Sequence, residues 1–311
     1  MWLLLGVTLA VTTLTVAAPP DEVAQAAGHT EETLSYSPDH GARMTVPVSI
    51  GDRGPYGFVV DTGSERTVIS RELAGELGLG AGPTATVHTM TEVSQVPTFR
   101  IPGLAFGSIV MKDIHAPAFS RRNIGAEGLL GVDSLQTQRV TFDFGRQEMT
   151  LSPSQKREER WPDDAIVIVG KSRLGRLMLL DASVEGERVW AVLDTGSQVT
   201  VGNAVLRNRL ARREKLPPTV PVNLTSVTGG SIVAEYSVAR TLRLGGLEFH
   251  NLPIAFAEVH PFRQLNLTDR PAVLIGMDAL QLLERVSVDF ANRRVRLLRP
   301  DSDPRDEADA G

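Results

Sequence analysis

Apolar positions fall in short runs rich in Val, Ile, Leu and Thr, broken by Gly or Pro every eight to twelve residues or so from about Gly41 onward. Such runs, bounded by turn-forming residues, predict β-strands. Helix signals are few, and the best cover residues 70–77 and 203–213. Each starts behind a capping-type side chain, Ser70 or Asn203. Upstream, residues 27–40 hold Ala, Pro, Glu and Thr without an apolar period and read as a spacer, so the folded part is expected to begin near Gly41. The chain opens on an apolar stretch, MWLLLGVTLAVTTLTVAA, with no charged side chain. It predicts an export signal within residues 1–26, with small residues suited to cleavage at 16–18 and at 24–26. An uncleaved anchor is the alternative, since the run is long enough to span a thinned bilayer. Residues 301–311 are acidic and poor in apolar residues, the composition of a disordered tail.

Compared with itself, the chain repeats once. The first copy runs through MTVPVSI (44–50), FVVDTGSERTVIS (58–70), GLLGVDSL (128–135) and VTFDFGRQEMTL (140–151). The second answers in the same order with LMLLDASV (177–184), WAVLDTGSQVTVG (190–202), VLIGMDAL (273–280) and VSVDFANRRVRLL (286–298). Asp61 and Asp194 lie 133 positions apart, whereas Gly131 and Gly276 lie 145 apart, so the second copy is longer between its two motifs. Two all-β lobes follow, residues 41–152 and 165–300, each a small barrel or sandwich with one or two short helices. The charged stretch 153–164 reads as the linker between them.

Composition narrows the chemistry. With 42% hydrophobic residues in 311, the chain can bury a core, and a formal charge of -5 leaves no electrostatic footprint for nucleic acid. It has no cysteine, which excludes disulfides, thiolate metal sites and a cysteine nucleophile, and leans towards a bacterial envelope among exported settings. The six histidines, at 30, 40, 88, 115, 250 and 260, show no metal-ligand spacing, and no serine sits in a nucleophile elbow. Neither metal nor cofactor is expected. GLGAG (78–82) reads as a helix stop and not as a phosphate cradle, because no Lys-Ser or Lys-Thr follows.

The candidate chemistry lies in Asp-Thr-Gly-Ser, present once per copy at 61–64 and 194–197, each time directly after an apolar run. Amide hydrolysis needs an activated water and a proton for the leaving nitrogen. Two carboxylates sharing one proton supply base and acid together. Like charges held close titrate as a pair, so neither aspartate can be assigned the proton from sequence. Gly63 and Gly196 suit tight turns where backbones approach closely. The hydroxyls of Ser64 and Ser197 can each donate to their own aspartate and favour its ionised form, whence an acid-side activity optimum is expected.

The doubled Asp-Thr-Gly-Ser, the doubled apolar-apolar-Gly (129–131 and 274–276) and the closing strands 140–144 and 286–290 resemble the aspartic protease clan, in particular its retropepsin-like branch with bacterial two-copy members. The resemblance implies two lobes about a pseudo-two-fold axis, with Asp61 and Asp194 at the floor of a cleft and Thr62 and Thr195 bonded across the axis. It implies an aspartic endopeptidase acting as a monomer on an extended peptide or protein substrate; the apolar start and the lack of cysteine place it, as an expectation, in the periplasm, envelope or medium. Membrane contact would arise only through an uncleaved N-terminus. The cleft would be covered by hairpin flaps at residues 86–96 and 224–233, with Thr89, Met90, Thr228, Gly229 and Gly230 at their tips. Only the second has tip glycines, and an ordinary surface hairpin is the other reading of the first. The alternative function is a catalytically silent peptide- or envelope-binding module on the same fold.

Overall fold

Alternation decides which strand faces turn inward. In Met44–Ile50 the side chains of Met44, Val46, Val48 and Ile50 are buried while Pro47 and Ser49 are exposed. The computed structural model describes residues 32–35, 37–38, 43–154, 161–173, 176–179, 181–216 and 218–300. The expected signal, the start of the spacer, residues 155–160 of the linker and the acidic tail lie outside them.

The chain folds into two barrel-like β lobes joined by a shared sheet. In the first lobe Met44–Ile50 pairs with Arg53–Val60 on one side and with Thr98–Phe106 on the other, closing the sheet on itself. In the second, the consecutive strands Arg176–Leu179 and Ala182–Val184 pair with Trp190–Leu193 and with Ser231–Leu244, so that sheet also returns on itself. Within each barrel a short strand from the second repeat motif inserts between two others. Gly128–Leu130 runs parallel to Arg53–Val60 and antiparallel to Val68–Ser70. Ala272–Ile275 does the same between Trp190–Leu193 and Val201–Gly202.

A six-stranded sheet joins the lobes in the order Glu32–Ser35, Glu148–Pro153, Gln138–Asp143, Arg285–Asp289, Arg294–Leu298, Ile166–Val169. Its central antiparallel pair lies on the pseudo-two-fold: Thr141 faces Ser287, and their hydroxyls bond at 2.9 Å. On either side of that centre Asp143 faces Arg285 and Arg139 faces Asp289, two charge pairs related by the same symmetry. The Asp143–Arg285 pair is bonded at 3.0 Å and largely buried.

The spacer reading is corrected here. Glu32–Ser35 pairs with Glu148–Pro153, and Ser37–Pro38 with Met44–Ile50, so ordered structure begins before Gly41. These edge strands take their stability from partners elsewhere in the chain, which local composition does not show. Both expected helices are present. Arg71–Glu76 is capped by Ser70, whose hydroxyl accepts from Leu73 N–H, and Gly78 follows with φ +64° as its stop. Ala204–Arg212 is capped by Asn203, wholly buried, which accepts from Leu206 N–H and donates to the carbonyls of Leu267 and Arg270. No helix among the described residues is long and apolar enough to cross a membrane.

Candidate active site

Each Asp-Thr-Gly-Ser is delivered by a strand buried on both faces. Phe58 and Val60 point into the main core that runs through both lobes, and Val59 points into a smaller cluster with Val68, Phe119, Ile124 and Leu129. In the second lobe Ala191 and Leu193 join the main core, and Val192 a matching cluster around Phe262 and Leu274. A strand clamped from both sides has little freedom at its end, which is where the aspartate stands. Both aspartates are fixed further by the inserted strands: Asp61 N–H donates to Leu130 O at 2.9 Å and Asp194 N–H to Ile275 O at 3.0 Å.

The two turns meet at the interface between the lobes. Thr62 N–H donates to Thr195 Oγ1 at 3.0 Å and Thr195 N–H to Thr62 Oγ1 at 3.1 Å. Each hydroxyl donates onward across the interface, Thr62 to Leu193 O and Thr195 to Val60 O. Both threonines are buried, so every one of these bonds replaces lost water. Gly63 lies against the carboxylate of Asp194, and Gly196 against that of Asp61. A Cβ on either glycine would collide with the opposite aspartate. The carboxylates of Asp61 and Asp194 are thereby brought together at the base of a cleft of about 980 Å³.

The serines act differently from the sequence expectation. Ser64 Oγ donates to Arg66 O at 2.7 Å and Ser197 Oγ to Val199 O at 2.8 Å, so both hydroxyls brace their own turns. The donors to the aspartates are backbone: the N–H groups of Gly63 and Ser64 reach Asp61 Oδ1 at 2.8 and 3.0 Å, and those of Gly196 and Ser197 reach Asp194 Oδ1 at 3.1 Å each. The physical reason is the tight turn, which points successive amides back at the carboxylate and leaves the hydroxyl to satisfy a carbonyl two residues on.

A second symmetric pair supports the turns and was missed in the sequence reading. Asp133 accepts from the N–H and hydroxyl of Thr67, and Asp278 from those of Thr200. Burial raises both carboxyls above the ordinary aspartate range, opposed by these hydrogen bonds. The signal was present, since Gly-Val-Asp and Gly-Met-Asp recur at equivalent places in the two copies. Gly131 and Gly276 precede these aspartates and sit against the backbones of Arg66 and of Val199 and Thr200, where a Cβ would not fit.

Two hairpins form the opposite wall. Ala85–His88 pairs with Val93–Val96 around a turn holding Thr89 and Met90, and Val220–Thr225 pairs with Ser231–Leu244 around a turn holding Thr228, Gly229 and Gly230. Each tip crosses to the other lobe. Met90 packs against the second lobe's small cluster and its carbonyl accepts from His260 N–H at 2.9 Å, while Val227 packs against the first lobe's small cluster. Thr91 Oγ1 donates to Ser226 Oγ at 3.1 Å, and His88 Nδ1 lies 3.2 Å from His260 Nε2. Thr89, Met90 and Gly229, the last with φ +91°, line the cleft. Thr228 and Gly230 do not: Thr228 bonds Ser226, and Gly230 abuts Thr91. Part of the second copy's extra length forms the segment 257–271, against 120–127 in the first; it carries the short helix His260–Gln264, which reaches the cleft through Pro261 and Gln264.

A family model described as aspartyl protease matches residues 46–134 and again 180–279, one match per lobe. No curated protein matches the chain.

Proposed function

The chain belongs to the aspartyl protease family, and from that premise we propose that it is an endopeptidase in which Asp61 and Asp194 together hydrolyse a peptide bond. The observation that supports this most is the reciprocal fit of Gly63 to Asp194 and of Gly196 to Asp61. It sets each carboxylate beside the other lobe's turn, with one oxygen of each bound by its own turn's amides.

In the proposed reaction one carboxylate is ionised and its partner protonated. The ionised group takes a proton from a water lodged between them as that water attacks the scissile carbonyl, and the protonated group donates to the carbonyl oxygen. The proton gained by the first then passes to the leaving nitrogen as the C–N bond breaks, and a hydroxyl of the tetrahedral intermediate returns a proton to the second. Proton count is conserved over the cycle, and the pair returns to its starting state. An extended peptide fits the long cleft, its backbone paired with the hairpins and its alternate side chains directed to opposite walls. Both aspartates come from one chain, so the monomer is complete. The apolar, uncharged start of the chain and the absence of cysteine support action outside the cytoplasm.

A peptide carrying a tetrahedral hydroxymethylene group in place of the scissile amide tests this reading by binding alone. Such a group resembles the attacked carbonyl and should bind the parent at least about 100-fold more tightly than the matching amide peptide. Equal affinities would count against a reactive pair.

A further inference from the structure

The floor of the cleft is symmetric in its chemistry, but its walls are not. At matching places just after the two Asp-Thr-Gly-Ser turns the first lobe has Glu65 and Arg66 and the second has Gln198 and Val199, and all four line the cleft. The first lobe adds Arg43 and Arg122 to the lining. The second adds only uncharged side chains, Asn223, Thr225 and Gln264 among them. Apart from Asp61 and Asp194, every Asp, Glu, Lys or Arg that lines the cleft among the described residues therefore belongs to the first lobe, three arginines against one carboxylate.

The three arginines are not equivalent. Arg43 is buried and its guanidinium donates to the Ile124 carbonyl, a structural placement. Arg66 is exposed, donates to His115 O at 3.2 Å and lies close enough to Asp133 for its charge to be felt there, but its side chain makes no other hydrogen bond among the described residues. Arg122 is exposed and forms no ion pair among the described residues, although its neighbour Arg121 is bonded to both Glu76 and Glu127. Arg122 stands beside Asn123, which the tip glycine Gly229 of the second lobe's hairpin touches, so it lies where that hairpin closes the cleft. Cationic side chains on one wall of a partly enclosed cleft, facing a wall without charge, favour a ligand charged on one side only.

We propose that the substrate is a peptide bearing an acidic side chain on the arm that lies along the first lobe, with Arg66 and Arg122 as its specificity-determining residues and uncharged residues along the second lobe. This rests on the cleft being a peptide site, as proposed above, but not on turnover.

The test uses a set of octapeptides that share one cleavable bond and differ by a single Glu or Gln at each position in turn. Binding is measured by fluorescence anisotropy to the folded Asp194→Asn chain at pH 6, and cleavage by the parent chain. One or two adjacent-wall positions should favour Glu over Gln by about 10-fold, as charge-assisted hydrogen bonds do. The preference should vanish below about pH 4, where the peptide glutamate protonates. Arg122→Gln and Arg66→Gln should each bring the ratio at one position to near one, and Arg122→Glu should invert it in favour of Gln. Equal binding of the Glu and Gln peptides at every position, or a preference unchanged by all three variants, overturns the proposal. A Glu preference in binding with no cleavage by the parent would sustain it while removing the hydrolase reading.

Discussion

The base of the first lobe and the base of the second can be laid over one another bond by bond. The aspartate N–H finds the inserted strand's carbonyl at 2.9 Å in one and 3.0 Å in the other. Val132 N–H reaches Ser64 O at 2.8 Å, and Met277 N–H reaches Ser197 O at 2.9 Å. Asp133 holds Thr67 as Asp278 holds Thr200. The upper parts of the two lobes share no such correspondence. One hairpin is a separate two-stranded ribbon, the other continues a long strand of its barrel, and among the described residues only the first lobe places arginines in the cleft. The difference separates two kinds of demand. Under the proposed reaction, two carboxylates that act in turn as acid and base call for like surroundings, whereas a peptide has direction, and walls that read its two arms have no reason to match.

If the bases are equivalent, damage to either must have the same outcome. Gly63→Ala and Gly196→Ala each drive a methyl group into the opposite aspartate and should each lower kcat by about 100-fold or more, since misplacement of a reacting group by an ångström has that effect. A clear inequality between the two variants, both verified as folded, would break the symmetry argument.

Next in size is the interlobe sheet. Asp143→Ala strands Arg285 at a mostly buried position and should destabilise the chain by about 3 kcal/mol in urea unfolding. The counterpart of Asp143, Asp289, is bonded to the Asn292 turn, twice, so Asp289→Ala should cost less, about 1 to 2 kcal/mol.

The smallest effect is on pH dependence. Asp133 and Asp278 have raised native carboxyl values, so the folded state binds their protons more tightly than the unfolded chain does. Their contribution to stability is complete below the ordinary aspartate value near pH 4 and is lost as pH rises through the native values. Asp133→Asn and Asp278→Asn should thus gain stability relative to the parent as pH goes from about 4 to 7, by like amounts in the two lobes. A relative loss over that interval would contradict the burial argument.

Legibility in the sequence follows the same division. The bases were readable because their requirements are local: an apolar run clamped from both sides, an aspartate, and a glycine where no Cβ fits, all repeated 133 residues on. Asp133 and Asp278 were visible in the repeat, but without the fold nothing linked them to Thr67 and Thr200. The strand at Glu32–Ser35 was hidden because its pairing partner lies more than a hundred residues away, and the direction of the Ser64 and Ser197 hydroxyls depends on a turn geometry that residue type does not specify. The crossing of each hairpin tip to the other lobe is tertiary throughout. Met90 and Val227 look like ordinary turn residues until the two lobes are assembled.

The most direct test of the paired-carboxylate account is cleavage of a mixed peptide library between pH 3 and 8 by the parent chain, beside Asp61→Asn and Asp194→Asn chains of matched melting behaviour. The account predicts cleavage by the parent with an acid-side optimum and a loss of about 1000-fold in both variants alike. Full activity in either folded variant, or a folded parent that cleaves nothing at any pH, would contradict it.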